Sequence, residues 1–258
     1  MKATTSKITL ALATLMLAAG AQAQDKPDGQ WRGNAGAAAA VTSGNSSSET
    51  LAFTGDLVRA TAGDKITLLG NVNYGRAKVD GVKKTNTDKW AGSGQYDLNF
   101  TPSLYGFGKA GLESDRIAKL SLRTTLAGGV GYKLVDNPTM AFSLFGGAGW
   151  STDKYSETET IGDKTDTRFS RFSLLVGEEY SQQLATNTTF KQRLEVYPGL
   201  SGDKAVLARF NAGLAVAMTS AMSLNVGLTD NYNSKPPLGQ KKNDLGVFTG
   251  INVKIGAN

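Results

Sequence analysis

The chain of 258 residues contains no cysteine and no histidine. Without cysteine there is no disulfide framework, so the fold must rest on burial and on backbone hydrogen bonds. Without histidine, the side chain best suited to proton transfer near neutral pH is missing. A serine or threonine nucleophile would then need a lysine or carboxylate as its base. The expectation is therefore no enzyme, no catalytic residues and no cofactor. Only oxygen ligands remain for a metal. The acidic stretch Asp153 to Asp166 (DKYSETETIGDKTD) lacks EF-hand spacing and carries two lysines, so it reads as a solvated loop with no metal site. Long apolar runs are also missing. No stretch past the first residues approaches the ~20 that a spanning helix needs, which excludes a helical membrane protein but not a barrel.

What is present begins with a leader. Lys2 and Lys7 precede an apolar stretch from Ile8 to Ala19, and Ala21-Gln22-Ala23 is a small-x-small cleavage site. Residues 1–23 therefore read as a Sec signal peptide. A membrane-anchor helix is the competing reading, and the apolar stretch is too short for it. Cleavage would remove two lysines and no acid, lowering the formal charge from +6 to +4. The remaining excess is spread along the chain, and no basic, aromatic-interleaved segment marks a nucleic-acid partner. Residues 24–30 are expected as a short periplasmic segment, and 31–258 as one domain.

That domain alternates. Trp90, Gly92, Gly94, Tyr96, Leu98 and Phe100 take one parity against Ala91, Ser93, Gln95, Asp97 and Asn99. Met222, Leu224, Val226 and Leu228 likewise oppose Ser223, Asn225, Gly227 and Thr229. A period of two sustained over such lengths predicts strands with one apolar and one wet face. About twelve are expected, near 31–42, 48–60, 65–76, 87–100, 103–114, 118–134, 139–152, 167–182, 187–198, 204–218, 222–234 and 243–255.

The connections sort into two alternating kinds. Tight ones such as Thr61-Ala62-Gly63-Asp64 and Asp136-Asn137-Pro138-Thr139 carry turn chemistry. Longer, charged ones are expected at 77–86, 153–166 and 235–242. Short turns at one end, long loops at the other and an even strand number describe a transmembrane antiparallel up-and-down β-barrel inserted from the periplasm into the outer membrane. The competing architecture is a soluble periplasmic barrel or sandwich. Mid-strand charges keep to the wet parity, as lipid on the other face would require, with Glu178 the poorest fit. Trp31, Tyr74, Trp90, Phe100, Tyr132, Trp150 and Tyr232 lie near strand ends, where interfacial girdles sit.

In such a barrel the wet face lines the lumen. Its expected charged residues are Asp56, Asp97, Lys109, Glu113, Arg123, Arg171, Lys191, Arg193, Glu195 and Arg209, with amides such as Asn71, Asn73, Gln95, Asn211 and Asn225 between them. Twelve strands lie between barrels filled by side chains and barrels holding an aqueous channel. Two readings stay open: a narrow, mildly cationic channel for small hydrophilic solutes with weak anion preference, or a lumen closed by ion pairs.

Four segments carry a family resemblance: "WRGNAGAAAAVTSGNSSSETLAFTGDL", "GGVGYKLVD", "FKQRLEVYPGLS" and "DNYNSKPPLGQKKND". Together they resemble the salt-induced outer-membrane protein (YdiY-like) family of Gram-negative barrels over essentially the whole mature chain. The resemblance implies an outer-membrane barrel, a link with salt or acid stress, and no established biochemical activity. It supplies no catalytic residues. The implied partners are membrane lipid, the outer-membrane assembly machinery and small polar solutes. Barrels of this kind customarily end in an aromatic, whereas Val253 and Ile255 stand here.

Overall fold

The computed structural model describes residues 27–42, 48–79, 82–237 and 241–256. Strict alternation becomes twelve strands. They are β1 (Asp28–Thr42), β2 (Ser48–Thr61), β3 (Asp64–Val79), β4 (Val82–Asn99), β5 (Leu104–Asp115) and β6 (Leu120–Asn137). There follow β7 (Met140–Ile161), β8 (Lys164–Ala185), β9 (Thr188–Pro198), β10 (Val206–Ala217), β11 (Met222–Asn233) and β12 (Asn243–Gly256). Each strand pairs antiparallel with its chain neighbours, and β1 pairs with β12, from Arg32 opposite Gly256 to Ala37 opposite Ile251. The result is a closed up-and-down barrel with no free sheet edge.

Four of the five short connections at the end that carries the termini share one chemistry, the β8–β9 connection at 186–187 being the exception. At 62–63, 100–103, 138–139 and 218–221 a Thr or Asn oxygen at the turn's start accepts two backbone N–H bonds. Thr61 Oγ1 takes those of Gly63 and Asp64 at 3.1 and 3.0 Å. Asn137 Oδ1 takes those of Thr139 and Met140 at 3.0 and 2.9 Å. Thr101 and Thr219 repeat the pattern. These side chains replace backbone partners that the reversal removes.

The opposite end differs from the sequence-based expectation. The stretch 77–86 is mostly strand, since β3 runs to Val79 and β4 starts at Val82. The stretch 153–166 is likewise a hairpin, reversing between Ile161 and Lys164 with Gly162 at φ +61°. Charged sequence disguised these extensions, because strands standing beyond the apolar belt need no apolar face. β1 also starts earlier than its alternation predicts, where Arg32 Nη1 donates to Asp28 at 2.7 Å. Residues 1–23, read as a signal peptide, lie outside the described residues, as do residues 24–26, while 28–30 of the expected periplasmic segment belong to β1.

The outer surface is the apolar parity. Leu51, Phe53, Tyr96, Leu98, Val176, Val226, Val247 and Ile251 are all exposed, reaching 71 % at Val247. Of the seven expected girdle aromatics, all but Tyr232 are exposed large apolar residues. Apolar surface of this extent around a whole barrel far exceeds the patches that water-solvated monomers carry. One parity fails. Leu120 alternates with the outward set in sequence but is 4 % exposed, because a bulge between Leu120 and Leu122 reverses it. It packs with Tyr155, Ile161 and Phe169 of the β7–β8 hairpin.

Candidate functional site: the barrel interior

Two kinds of wall face the interior. From β4 to β10 it is charged and aromatic. Tyr105 and Phe107 of β5, Phe145 of β7, Leu175 of β8 and Tyr197 of β9 form one buried cluster inside the ring of strands. Phe107 meets Phe145 edge-on, with ring centroids 5.7 Å apart. Inward-facing glycines make room for this cluster. A Cβ at Gly177 would strike the Phe145 ring and the Leu194 carbonyl, and one at Gly131 would strike the Tyr105 ring.

Around the cluster run two chains of ion pairs with alternating sign. The first is Arg209–Glu113–Arg123–Asp153–Arg171–Asp203. Its contacts are 3.0 Å for Arg209 to Glu113, 3.7 Å for Arg123 to Glu113, and 2.7 Å from both Arg123 and Arg171 to Asp153. Arg171 then reaches Asp203 at 3.1 Å. Arg123 holds Asp153 bidentately, through Nε at 2.7 Å and Nη2 at 2.9 Å. The second chain is Glu179–Arg193–Glu195–Lys109, with contacts of 2.6, 2.8 and 2.8 Å. Arg193 also lies 5.0 Å from the Phe145 centroid, and the Tyr197 hydroxyl donates to Glu195 at 2.9 Å.

These chains cross the interior. Lys109 and Glu195 sit on β5 and β9, Arg209 and Glu113 on β10 and β5, and neither pair of strands is adjacent in the ring. Arg193 of β9 donates to Gln95 of β4 at 3.3 Å, and Lys89 of β4 reaches Asp244 of β12 at 3.5 Å. Side chains of strands several places apart can meet only inside the barrel, so the ion pairs tie opposite arcs together.

The other wall, β11 through β12 and β1 to β3, is mostly uncharged. One row of facing residues carries Asn71, Thr54, Gly36, Asn252 and Ser223 in register across five strands. In the next row Asn73 lies beside Ala52, Ala52 beside Ala38, and Gly250 beside Asn225. Small residues thus form a floor between amide flanks. Asn71, Asn73, Asn225 and Thr229 are all at least nine-tenths buried. Both amide atoms of Asn71 and Asn73, with Asn225 Oδ1 and Thr229 Oγ1, find no hydrogen-bond partner among the described residues. A small cavity bounded by Thr189, Lys191, Ala215, Asn225 and Phe248 sits where this wall meets the charged one.

Of the ten charged residues expected at the lumen, seven join the two chains: Lys109, Glu113, Arg123, Arg171, Arg193, Glu195 and Arg209. Three do not. Asp56 is buried and accepts two bonds from the Asn34 amide at 3.2 and 3.1 Å, Asp97 accepts from Gln95 at 2.8 Å, and Lys191 borders the cavity. Sequence reasoning missed three acids that complete the chains. Asp153 was expected in a solvated loop, yet it is fully buried between Arg123 and Arg171. Its parity with Ser151, which is also buried, was the available signal. Glu179 shares the inward parity of Gly177 and Leu175. Asp203 belongs to the β9–β10 connection, which carries its carboxylate onto Arg171, and no periodicity points to it.

Residues 35–255 match the family model described as a protein of unknown function, DUF481. The chain belongs to that family. No curated protein matches it. Among solved structures, this DUF481 barrel is similar to an outer membrane channel from Pseudomonas putida F1. Identity there is 12%, the TM-score is 0.51, and 91% of this chain and 97% of the other are covered. It also aligns with the NanC porin at 7% identity and a TM-score of 0.46, covering 87% and 97% of the two chains. At this identity the likeness to the Pseudomonas channel is one of fold.

Proposed function

We propose that this DUF481 chain is an outer-membrane barrel whose interior is held closed at rest by ion pairs. On this reading it serves the envelope as a structural or salt- and acid-stress barrel, of the kind the salt-induced outer-membrane proteins represent. Residues 1–23 deliver it as a cleaved signal peptide, and the outer-membrane assembly machinery inserts it. The belt of exposed apolar residues supports lipid as the surrounding medium. The observation that carries the closed reading is the pairing of Lys109 with Glu195 and of Arg209 with Glu113 between non-neighbouring strands. The test is planar-bilayer recording of the refolded protein. The unaltered barrel gives no single-channel steps, and Lys109→Ala with Glu195→Ala opens it. Steady steps from the unaltered protein would overturn the closed lumen.

A second reading is a narrow channel for small hydrophilic solutes with weak anion preference. It draws on the uncharged wall and on the small cavity at its edge, which Lys191 borders. If steps appear, Lys191→Glu should move the reversal potential toward cation preference.

A further inference from the structure

The outer surface of the β3–β4 hairpin changes character along its length. Val72 stands opposite Trp90, Tyr74 opposite Asp88, Arg76 opposite Thr85, and Lys78 opposite Lys83. Val72, Tyr74 and Trp90 belong to the exposed apolar belt. Directly above them the same face turns cationic. Arg76 donates through Nε to the Tyr74 hydroxyl at 2.7 Å, and its guanidinium lies 5.3 Å from that ring's centroid. This fixes the charge at the edge of the apolar zone.

The next step outward is a like-charge pair, which destabilises a sheet when nothing lies between the two charges. Two acids stand close by and both are engaged: Asp88, opposite Tyr74, is held by Arg116 at 3.2 Å, and Glu49 of β2, opposite Arg76, is taken by Lys83 at 3.0 Å. Among the described residues Lys78 has no acidic partner; Asp80 lies outside them. Three cations, one already stacked on an interfacial tyrosine, therefore share a face that leads directly out of the lipid-facing surface.

We propose that Arg76, Lys78 and Lys83 form a docking site for the phosphate of an anionic lipid headgroup in the leaflet around the hairpin. A phosphate between Lys78 and Lys83 converts their repulsion into two charge-assisted contacts. Arg76 meets it from below, with its apolar stem along Tyr74. A lipid fits better than a soluble phosphate because the cations continue the belt on which acyl chains lie. The site rests on the outer-membrane reading above, since it needs lipid at this face.

The folded protein in neutral detergent can be titrated with bis-phosphorylated lipid A, with dephosphorylated lipid A, and with inorganic phosphate. The variant Arg76→Gln, Lys78→Gln, Lys83→Gln is tested alongside, and heat-modifiable gel migration verifies its fold. Each cation removed near a membrane surface weakens binding about fivefold, so the triple variant loses about a hundredfold. The unaltered protein should bind the dephosphorylated lipid as weakly as the variant binds the phosphorylated one, with no measurable hold on inorganic phosphate. Equal binding by variant and unaltered protein, or equal binding of the two lipids, would overturn the site. Inorganic phosphate competing at the lipid's own affinity would overturn the lipid as its source. Cell fractionation separates this from the parent reading: a product outside the outer membrane removes that reading whatever the detergent titration gives.

Discussion

The two walls of the interior obey one rule of alternation and reach opposite chemical states. On the β4–β10 side, inward positions carry charge, and each member of the two chains meets a partner of opposite sign. On the β11–β3 side, inward positions carry amides and small residues, and several buried amide atoms meet nothing among the described residues. A charge removed from water is tolerated only when paired, so the first wall must be cross-linked to exist at all. An amide costs less to bury than an ion, so the second wall can leave some unsatisfied. The walls divide by linkage: one holds the barrel's arcs together through ion pairs, although Arg171 Nε and Nη1 also lack hydrogen-bond partners among the described residues, while the other relies on packed amides and small residues.

Cutting the charged wall at its hub should give the largest effect. Asp153 is fully buried and is shared by Arg123 and Arg171. Asp153→Ala leaves Arg123 only Glu113 at 3.7 Å and Arg171 only Asp203 at 3.1 Å, and is expected to destabilise the barrel by about 3 kcal/mol. Urea titration followed by heat-modifiable migration reads this directly. A loss below about 1 kcal/mol would mean that water already carries those charges.

The next contrast sets one glycine of each wall against the other. At Gly177 a Cβ would meet the Phe145 ring and a backbone carbonyl, neither of which can yield cheaply. At Gly36 it would meet the side-chain ends of Asn252 and Thr54, which can rotate away. Gly177→Ala is expected to cost about 1–3 kcal/mol, and Gly36→Ala under about 1 kcal/mol. Equal costs in the same urea assay would show that the amide wall is as rigid as the aromatic one.

A smaller effect, of the opposite sign, is expected within the amide wall. Asn73 is 1 % exposed with neither amide atom partnered among the described residues, so exchanging it for an apolar residue of similar size removes an unsatisfied group. Asn73→Leu should leave the urea midpoint unchanged or raise it by about 1 kcal/mol in stability. A clear drop would indicate that Asn73 is solvated in the native barrel, which would favour the channel reading.

Much of this was legible in the sequence, and the limits have physical causes. Parity placed Asn225 and Thr229 inside and Leu224 and Val226 outside, because a period of two is a local property of the chain. Turn chemistry at Thr61, Asn137 and Thr219 located the reversals for the same reason. Leu120 went astray because a bulge is invisible to periodicity. Asp153 went astray because its neighbours in sequence are charged, although its neighbours in space are two arginines. The partnership of Lys109 with Glu195 could not be read at all, since alternation gives the face a residue occupies and says nothing of the strand opposite.

The finest test compares ion pairs of equal length inside and outside the barrel. Lys119 meets Glu157 at 2.7 Å, the distance of Arg171 to Asp153, but the outer partners are 47% and 64% exposed while the inner ones are 2% and 1%. The hydrogen bond from Lys119 to Glu157 holds the lysine's ammonium above its ordinary value. Whatever this pair adds is therefore fully present below the ordinary lysine range and fades as pH rises through the raised value. Because both partners are solvated, Glu157→Ala, which leaves the second contact of Lys119 with Glu159 at 3.5 Å in place, should shift the urea midpoint within experimental scatter at physiological salt, with any residual effect vanishing at high salt. Arg171→Ala should keep its full effect at high salt, because little solvent reaches the pair. If salt erased both effects alike, the interior chains would be exposed to bulk ions, and the distinction between a cross-linked wall and a solvated surface would fail.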